Sequence, residues 1–143
     1  MPANTAPIYT LTPDTTTDNS TGMPQGKTAA AADYDGTGAN NFLMHTAGAN
    51  GSYVRTVVAK AKGTNVATVL RIYVNNGATN GTASNNGFVA EISLPATTAS
   101  ATAGTPEIEF PMEFALKAAH RLYGGLGTAV AAGWVFTVIG GQY

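Results

Sequence analysis

Alternation of apolar and polar side chains is sharpest in two segments of the chain. Phe88, Ala90, Ile92 and Leu94 interleave with Glu91 and Ser93, and Ile108, Phe110 and Met112 interleave with Glu107, Glu109 and Glu113. A period of two puts successive side chains on opposite faces of a strand, so each segment is predicted to bury one face and solvate the other. Residues 52–61 and 66–75 follow a different rule. Val54, Val57 and Val58 in the first, and Val69, Leu70, Ile72 and Val74 in the second, are apolar on both faces, which predicts central strands or strands covered by another chain. With the flanking β-prone runs, the pattern yields eight strands, at residues 27–32, 41–46, 52–61, 66–75, 87–94, 107–114, 120–126 and 134–139.

Gly and Asn clusters separate these runs. Gly63-Thr64-Asn65 is short enough to close a hairpin between the two doubly apolar strands, and Asn75-Asn76-Gly77 through Asn86-Gly87 forms a longer polar loop with repeated Asn-Gly steps. Residues 113–121 are the one helix-like stretch, but Pro111 before it and Gly124-Gly125 after it favour strand. Residues 1–25 carry Pro2, Pro7, Pro13 and Pro24 among Thr and Asn, with no helical period. They are predicted to form an extended N-terminal arm whose apolar patch, Ile8, Tyr9 and Leu11, packs on the parent domain or a neighbouring subunit. The expected architecture is all-β, an antiparallel β-sandwich of jelly-roll type over residues 26–143, preceded by the arm at 1–25.

Composition sharpens this picture. Charged residues make up 10% of the chain and apolar ones 44%, so much of the non-core sequence is Thr, Asn, Gly, Ser and Ala, a composition of strands and turns. A length of 143 residues fits one domain that buries roughly 70% of its unfolded surface, with no disulfide or metal needed. Seven basic against eight acidic side chains give a net charge of -1, which offers no attraction to nucleic acid or to an anionic membrane. The charges are segregated. Arg55, Lys60, Lys62 and Arg71 occupy one stretch and Glu91, Glu107, Glu109 and Glu113 another, two strips able to attract each other within or between subunits. Arg55, Lys60, Lys62, Glu107 and Glu109 are therefore candidate subunit-interface residues. The absence of cysteine excludes a disulfide framework, thiolate metal ligands and a Cys nucleophile. Without a basic segment followed by an apolar one near the start, or any run of 18 apolar residues, cytosolic synthesis is expected.

Candidate chemistry is sparse. Asp33-Tyr34-Asp35-Gly36 opens like a calcium loop but lacks the third acid and the distant glutamate, so it reads as a solvated turn. His45 and His120 stand alone, without the further ligands that zinc requires. Gly124-Gly125-Leu126-Gly127 lacks the strand-turn-helix context of a nucleotide site, and close backbone packing or flexibility accounts for it better. Glu107 and Glu109 share one strand face, whereas glycosidase carboxylates oppose each other across a substrate. Tyr53, Tyr73, Phe88, Tyr123, Trp134 and Phe136 sit at alternating positions beside Val and Ile and are assigned to core packing in preference to a sugar-stacking platform. No catalytic residue, metal or cofactor is expected.

Several phrases carry a family likeness. Asn4-Thr5-Ala6-Pro7-Ile8-Tyr9, the stretch Thr46-Ala47-Gly48-Ala49-Asn50-Gly51-Ser52, the strand Val69-Leu70-Arg71-Ile72-Tyr73-Val74, and the ending Gly133-Trp134-Val135-Phe136-Thr137-Val138 with Gly140-Gly141-Gln142-Tyr143 together resemble small head proteins of tailed phages, the decoration or cement proteins. The likeness covers most of the chain and consists of turn and strand phrases. It implies a jelly-roll or related sandwich that binds the major capsid protein on the outside of an icosahedral shell as a homotrimer, without enzymatic activity. It implies a place on the virion surface after synthesis in the host cytoplasm, with Pro7, Ile8, Tyr9 and Leu11 of the arm contacting the shell or a neighbouring subunit. Two alternatives share this composition: a tail or fibre module, and a carbohydrate-binding sandwich, which needs exposed aromatics beside Asn and Asp.

Overall fold

The structure, a computed structural model, describes residues 25–31 and 33–143. The arm residues Pro7, Ile8, Tyr9 and Leu11 lie outside the described residues. Among the described residues there are seven strands: β1 (Phe42–Thr46), β2 (Ser52–Ala61), β3 (Thr68–Asn75), β4 (Asn86–Leu94), β5 (Glu107–Leu116), β6 (Arg121–Leu126) and β7 (Trp134–Gln142). They form two antiparallel sheets, ordered β1-β6-β3-β4 and β5-β2-β7, packed face to face as a β-sandwich. Leu70, Ile72, Leu122 and Leu126 from the first sheet meet Val54, Val57, Trp134 and Phe136 from the second in one core. Each such side chain, fully buried, contributes about 1.5–3 kcal/mol. Phe42 of β1 stacks on Phe136 of β7 with ring centroids 5.3 Å apart, tying the sheets together at that side.

The doubly apolar strands are both inner strands: β2 lies between β5 and β7, and β3 between β6 and β4, with β6 also inner, between β1 and β3. The outward face of β3 is covered by the chain itself, since Arg71 and Tyr73 lie buried there and hydrogen-bond to the backbone of Ala31 and Asp33. The expected hairpin at Gly63-Thr64-Asn65 is not one, because β2 and β3 belong to different sheets. The connection crosses the sandwich instead, and the buried Asn65 side chain anchors it to Gly63, Thr97, Ala132 and Gly133. Of the predicted strand at 27–32, the described residues 27–31 form two bridges, Lys27 antiparallel to Trp134 of β7 and Ala30 parallel to Leu126 of β6. A segment that touches one sheet and then the other cannot extend a ladder on either. The stretch at 113–121 is strand as far as Leu116, then a turn in which His120 N donates to Lys117 O and Ala119 takes φ 62°.

Bulges in β1, β2 and β4 set which side chains face outward, and β5 is irregular too, with Met112 and Glu113 opposite Arg55. In β1 the extra residue is Met44, in β2 it is Arg55, which β7 skips, and in β4 it is Val89, lying between the pairs Ile72↔Ala90 and Tyr73↔Phe88. An inserted residue reverses the facing of everything beyond it. Ile92 and Leu94 therefore face the core as predicted, whereas Phe88 is turned to the outer surface and is 46% exposed. Its assignment to the core is overturned.

Candidate functional site

Ala59 and Val57 face the core, so the two-residue period turns Lys60, Val58 and Thr56 to the outer face of the three-stranded sheet. On one side of them β5 places Glu107 beside Lys60, Glu109 beside Val58 and Pro111 beside Thr56. On the other, β7 places Val135, Thr137 and Ile139. The face grades from acidic at the β5 edge to apolar along β7, with Val58, Val135 and Ile139 half-buried. Lys60, Glu107 and Glu109 thus share one surface, although the Lys60 ammonium donates to Thr105 O at 2.6 Å. The other two candidates lie apart. Arg55 is exposed at its bulge, and Lys62 lies beyond the end of β2 with its stem against Gly26. Near Arg55, the Tyr53 hydroxyl donates to Glu113 Oε2, and this bond to a carboxylate raises the Tyr53 pKa. The basic and acidic strips make their ion pair elsewhere: Arg71 Nε donates to Glu91 Oε1 at 3.0 Å across the β3–β4 ladder.

That pair belongs to an aromatic cluster on the outer face of the four-stranded sheet. Arg71 Nη1 donates to Ala31 O at 3.3 Å and Asp33 O at 3.2 Å, and the Tyr73 hydroxyl donates to Asp33 O at 2.8 Å, clamping Ala31 and Asp33 against the sheet. Burial opposes the charge on Arg71, but hydrogen bonds to Glu91 and Tyr34 outweigh it and raise its pKa. The guanidinium lies 3.8 Å from the Tyr34 ring centre. Tyr34 meets Phe88 edge-on at 5.8 Å, and Phe88 leans on Tyr73 at 5.6 Å. Tyr34 is 59% exposed. Beside it Asp35 Oδ1 accepts from the backbone and hydroxyl of Thr37, which lowers the Asp35 pKa. Asn86 Nδ2 donates to Asp35 O and Asn80 Nδ2 to Gly36 O, fixing this turn against the Asn-rich loop. The sequence signal for the cluster was the unbroken apolar triplet Phe88-Val89-Ala90, a local failure of alternation that marks the bulge.

The remaining candidates have structural roles. His45 Nε2 lies 2.7 Å from Ser52 Oγ, a distance suited to a nucleophile and its base, but the residues are 4% and 0% exposed and no substrate reaches them. Among the described residues no three His, Cys, Asp or Glu side chains converge to hold a metal. Gly124 and Gly125 sit in β6 where a Cβ would come 2.7 Å from Phe42 Cε2 and 2.1 Å from Asn41 Oδ1, so close packing requires them. A cleft of about 230 Å³ lies between Gly26–Ala29 and Ala39–Phe42, with the Lys27 ammonium 5.3 Å from the Phe42 ring centre. Compared with known protein families, curated proteins and solved structures, the chain matches none. Its fold and surfaces define an all-β sandwich with two built outer faces, one mixed in charge and one aromatic.

Proposed function

We propose that the chain is a virion structural protein, a decoration or cement protein that binds the outside of an icosahedral phage head as a homotrimer and stabilises it. Strand order carries this reading. If the segment bridged at Lys27 is counted as a first strand on the free edge of β7, each later number rises by one and the sheets become 1-8-3-6 and 2-7-4-5. That is the order of a jelly roll, the double Greek key used by viral capsid and lectin domains. The phrases resembling decoration proteins and the apolar patch of the arm agree with it. A ligand that binds the mature lattice more tightly than its precursor stabilises the shell, and many copies repeat the gain.

The test is co-sedimentation with expanded heads of the phage from which the chain derives. Full-length protein is expected to pellet with the heads. Deleting residues 1–12 removes Pro7, Ile8, Tyr9 and Leu11 and is expected to leave the sandwich folded while weakening occupancy about tenfold or more. Undiminished affinity would exclude the arm as the clamp, and absence of head binding by the full chain would exclude the decoration reading.

A further inference from the structure

We propose that in the unassembled chain residues 8–11 of the arm dock into the chain's own sandwich, in the groove between the edge strands β4 and β5. The two long sides of the sandwich differ. On one, β1 faces β7, and Phe42 stacks on Phe136 with both rings buried. The sheet orders put β4 and β5 together on the other side. There Ile108, Phe110, Met112 and Phe114 pack against the core yet remain half-buried along the length of β5. β4 meets this row with side chains that shrink: Leu94 and Ile92 are buried, Ala90 is half-buried, and Gly87, paired with Val74, has none. A Cβ added at Gly87 would approach Val74 O at 3.8 Å and nothing nearer, so the groove has room at that end. Filling it removes apolar surface of β3 and β5 from water.

The edges on either side of the groove are poor templates for another strand. Val89 bulges out of β4, Pro111 of β5 has no backbone N–H, and Glu113 takes φ 52°. Such features protect a sheet edge from pairing, which disfavours a second copy joined edge to edge. An occupant enters with its side chains instead.

The chain's own arm has the reach and the side chains. Gly26 lies against the Lys62 stem, at the end of β2 where β5 begins with Glu107 opposite Lys60. With strands spaced about 5 Å apart, the groove opens roughly 10–15 Å from that point. Residues 12–25 reach about 45 Å when extended, and Met23 is their one large apolar side chain. Ile8, Tyr9 and Leu11 are thus the first apolar cluster along the tether. An extended segment presents Tyr9 and Leu11 on one face, with the same two-residue period as Phe110, Met112 and Phe114. A short tether holds them at an effective concentration of about millimolar, which favours the chain's own groove over that of another copy.

Two measurements test this without phage heads, so their outcome is separate from that of the decoration reading. NMR of carbon-13-labelled methionine methyl groups reads the groove directly, because Met112 lines it while Met44 lies in the core on the β1 side. Deleting residues 1–12 is expected to shift the Met112 methyl resonance and leave that of Met44 in place. A Met112 resonance that stays put, or moves no more than that of Met44, overturns the proposal. The chain has no cysteine, so the double variant Leu11→Cys/Met112→Cys reports which groove is filled. Mild oxidation at micromolar concentration is expected to close a disulfide within one 14.5 kDa chain. The control Leu11→Cys/Thr137→Cys, with its second thiol on the outer face of β7, should stay reduced. Covalent oligomers, or equal oxidation of the two variants, overturn docking in the chain's own groove.

Discussion

Asn65 uses both ends of its amide inside the protein. Nδ2 donates to Gly133 O at 3.1 Å, Gly63 O at 3.3 Å and Thr97 Oγ1 at 3.4 Å, while Oδ1 accepts from Ala132 N and Gly133 N at 2.9 Å each. At 4% exposure, water does not replace these partners readily. Each buried polar group left unmatched costs about 1–3 kcal/mol, so Asn65→Ala is expected to lose about 3–5 kcal/mol in urea unfolding. A loss below about 1 kcal/mol would show that the connection does not depend on this amide. Tyr73 supplies a pH signature. Burial, reinforced by the nearby Asp33 charge, pushes its phenol from 10.0 up to about 12. The folded state therefore holds the proton more tightly than the unfolded chain. The resulting stability is fully present below pH 10 and is lost as pH rises from there through about 12, a change of about 2–3 kcal/mol. Tyr73→Phe should flatten that alkaline decline relative to the wild type while lowering stability at neutral pH through the lost bond to Asp33. Parallel declines in the two proteins would contradict this assignment.

At the scale of elements, strand existence was legible and strand partnership was not. β5 could be read directly because Glu107, Glu109 and Glu113 mark its solvent side, and the double-faced apolar pattern of β2 and β3 correctly placed both inside their sheets. Hydrophobic period is local, so it reports which residues alternate but not which sheet a strand joins. That is why the short link at Gly63-Thr64-Asn65 read as a hairpin, although its polar residue serves a crossover. The same limit hid the aromatic cluster: Tyr34 and Phe88 lie far apart in sequence and meet only because Val89 bulges and Arg71 holds Ala31 and Asp33 against the sheet. Of the charged interface candidates, Lys60, Glu107 and Glu109 share a face because two adjacent antiparallel strands align them. Arg55 sits exposed at a bulge farther along β2, a break in the strand that β-prone composition does not reveal.

The whole molecule offers two outer surfaces, and the proposed trimer would place the outer face of β5-β2-β7 against the neighbouring subunit. Val58 is the central test because it sits mid-strand on that face, flanked by Glu109 and Thr137, with the core residue Val57 next to it in sequence. A stable interface buries about 1,200–2,000 Å² and tolerates an unpaired charge at its centre poorly. Val58→Asp is therefore expected to yield a folded monomer, since the substitution changes strand propensity by no more than about 1 kcal/mol when the face is open to water. Val57→Asp puts the same carboxylate among Val54, Trp134 and Phe136 in the core and should prevent folding, because an isolated buried charge has no compensating partner. Sedimentation velocity at micromolar concentration separates these outcomes: wild type at three times the 14.5 kDa chain mass and Val58→Asp at one. A monomeric wild type would refute the trimer. A Val58→Asp protein that sediments like wild type would exclude this face as the contact and direct the search to the loops at the ends of the sandwich.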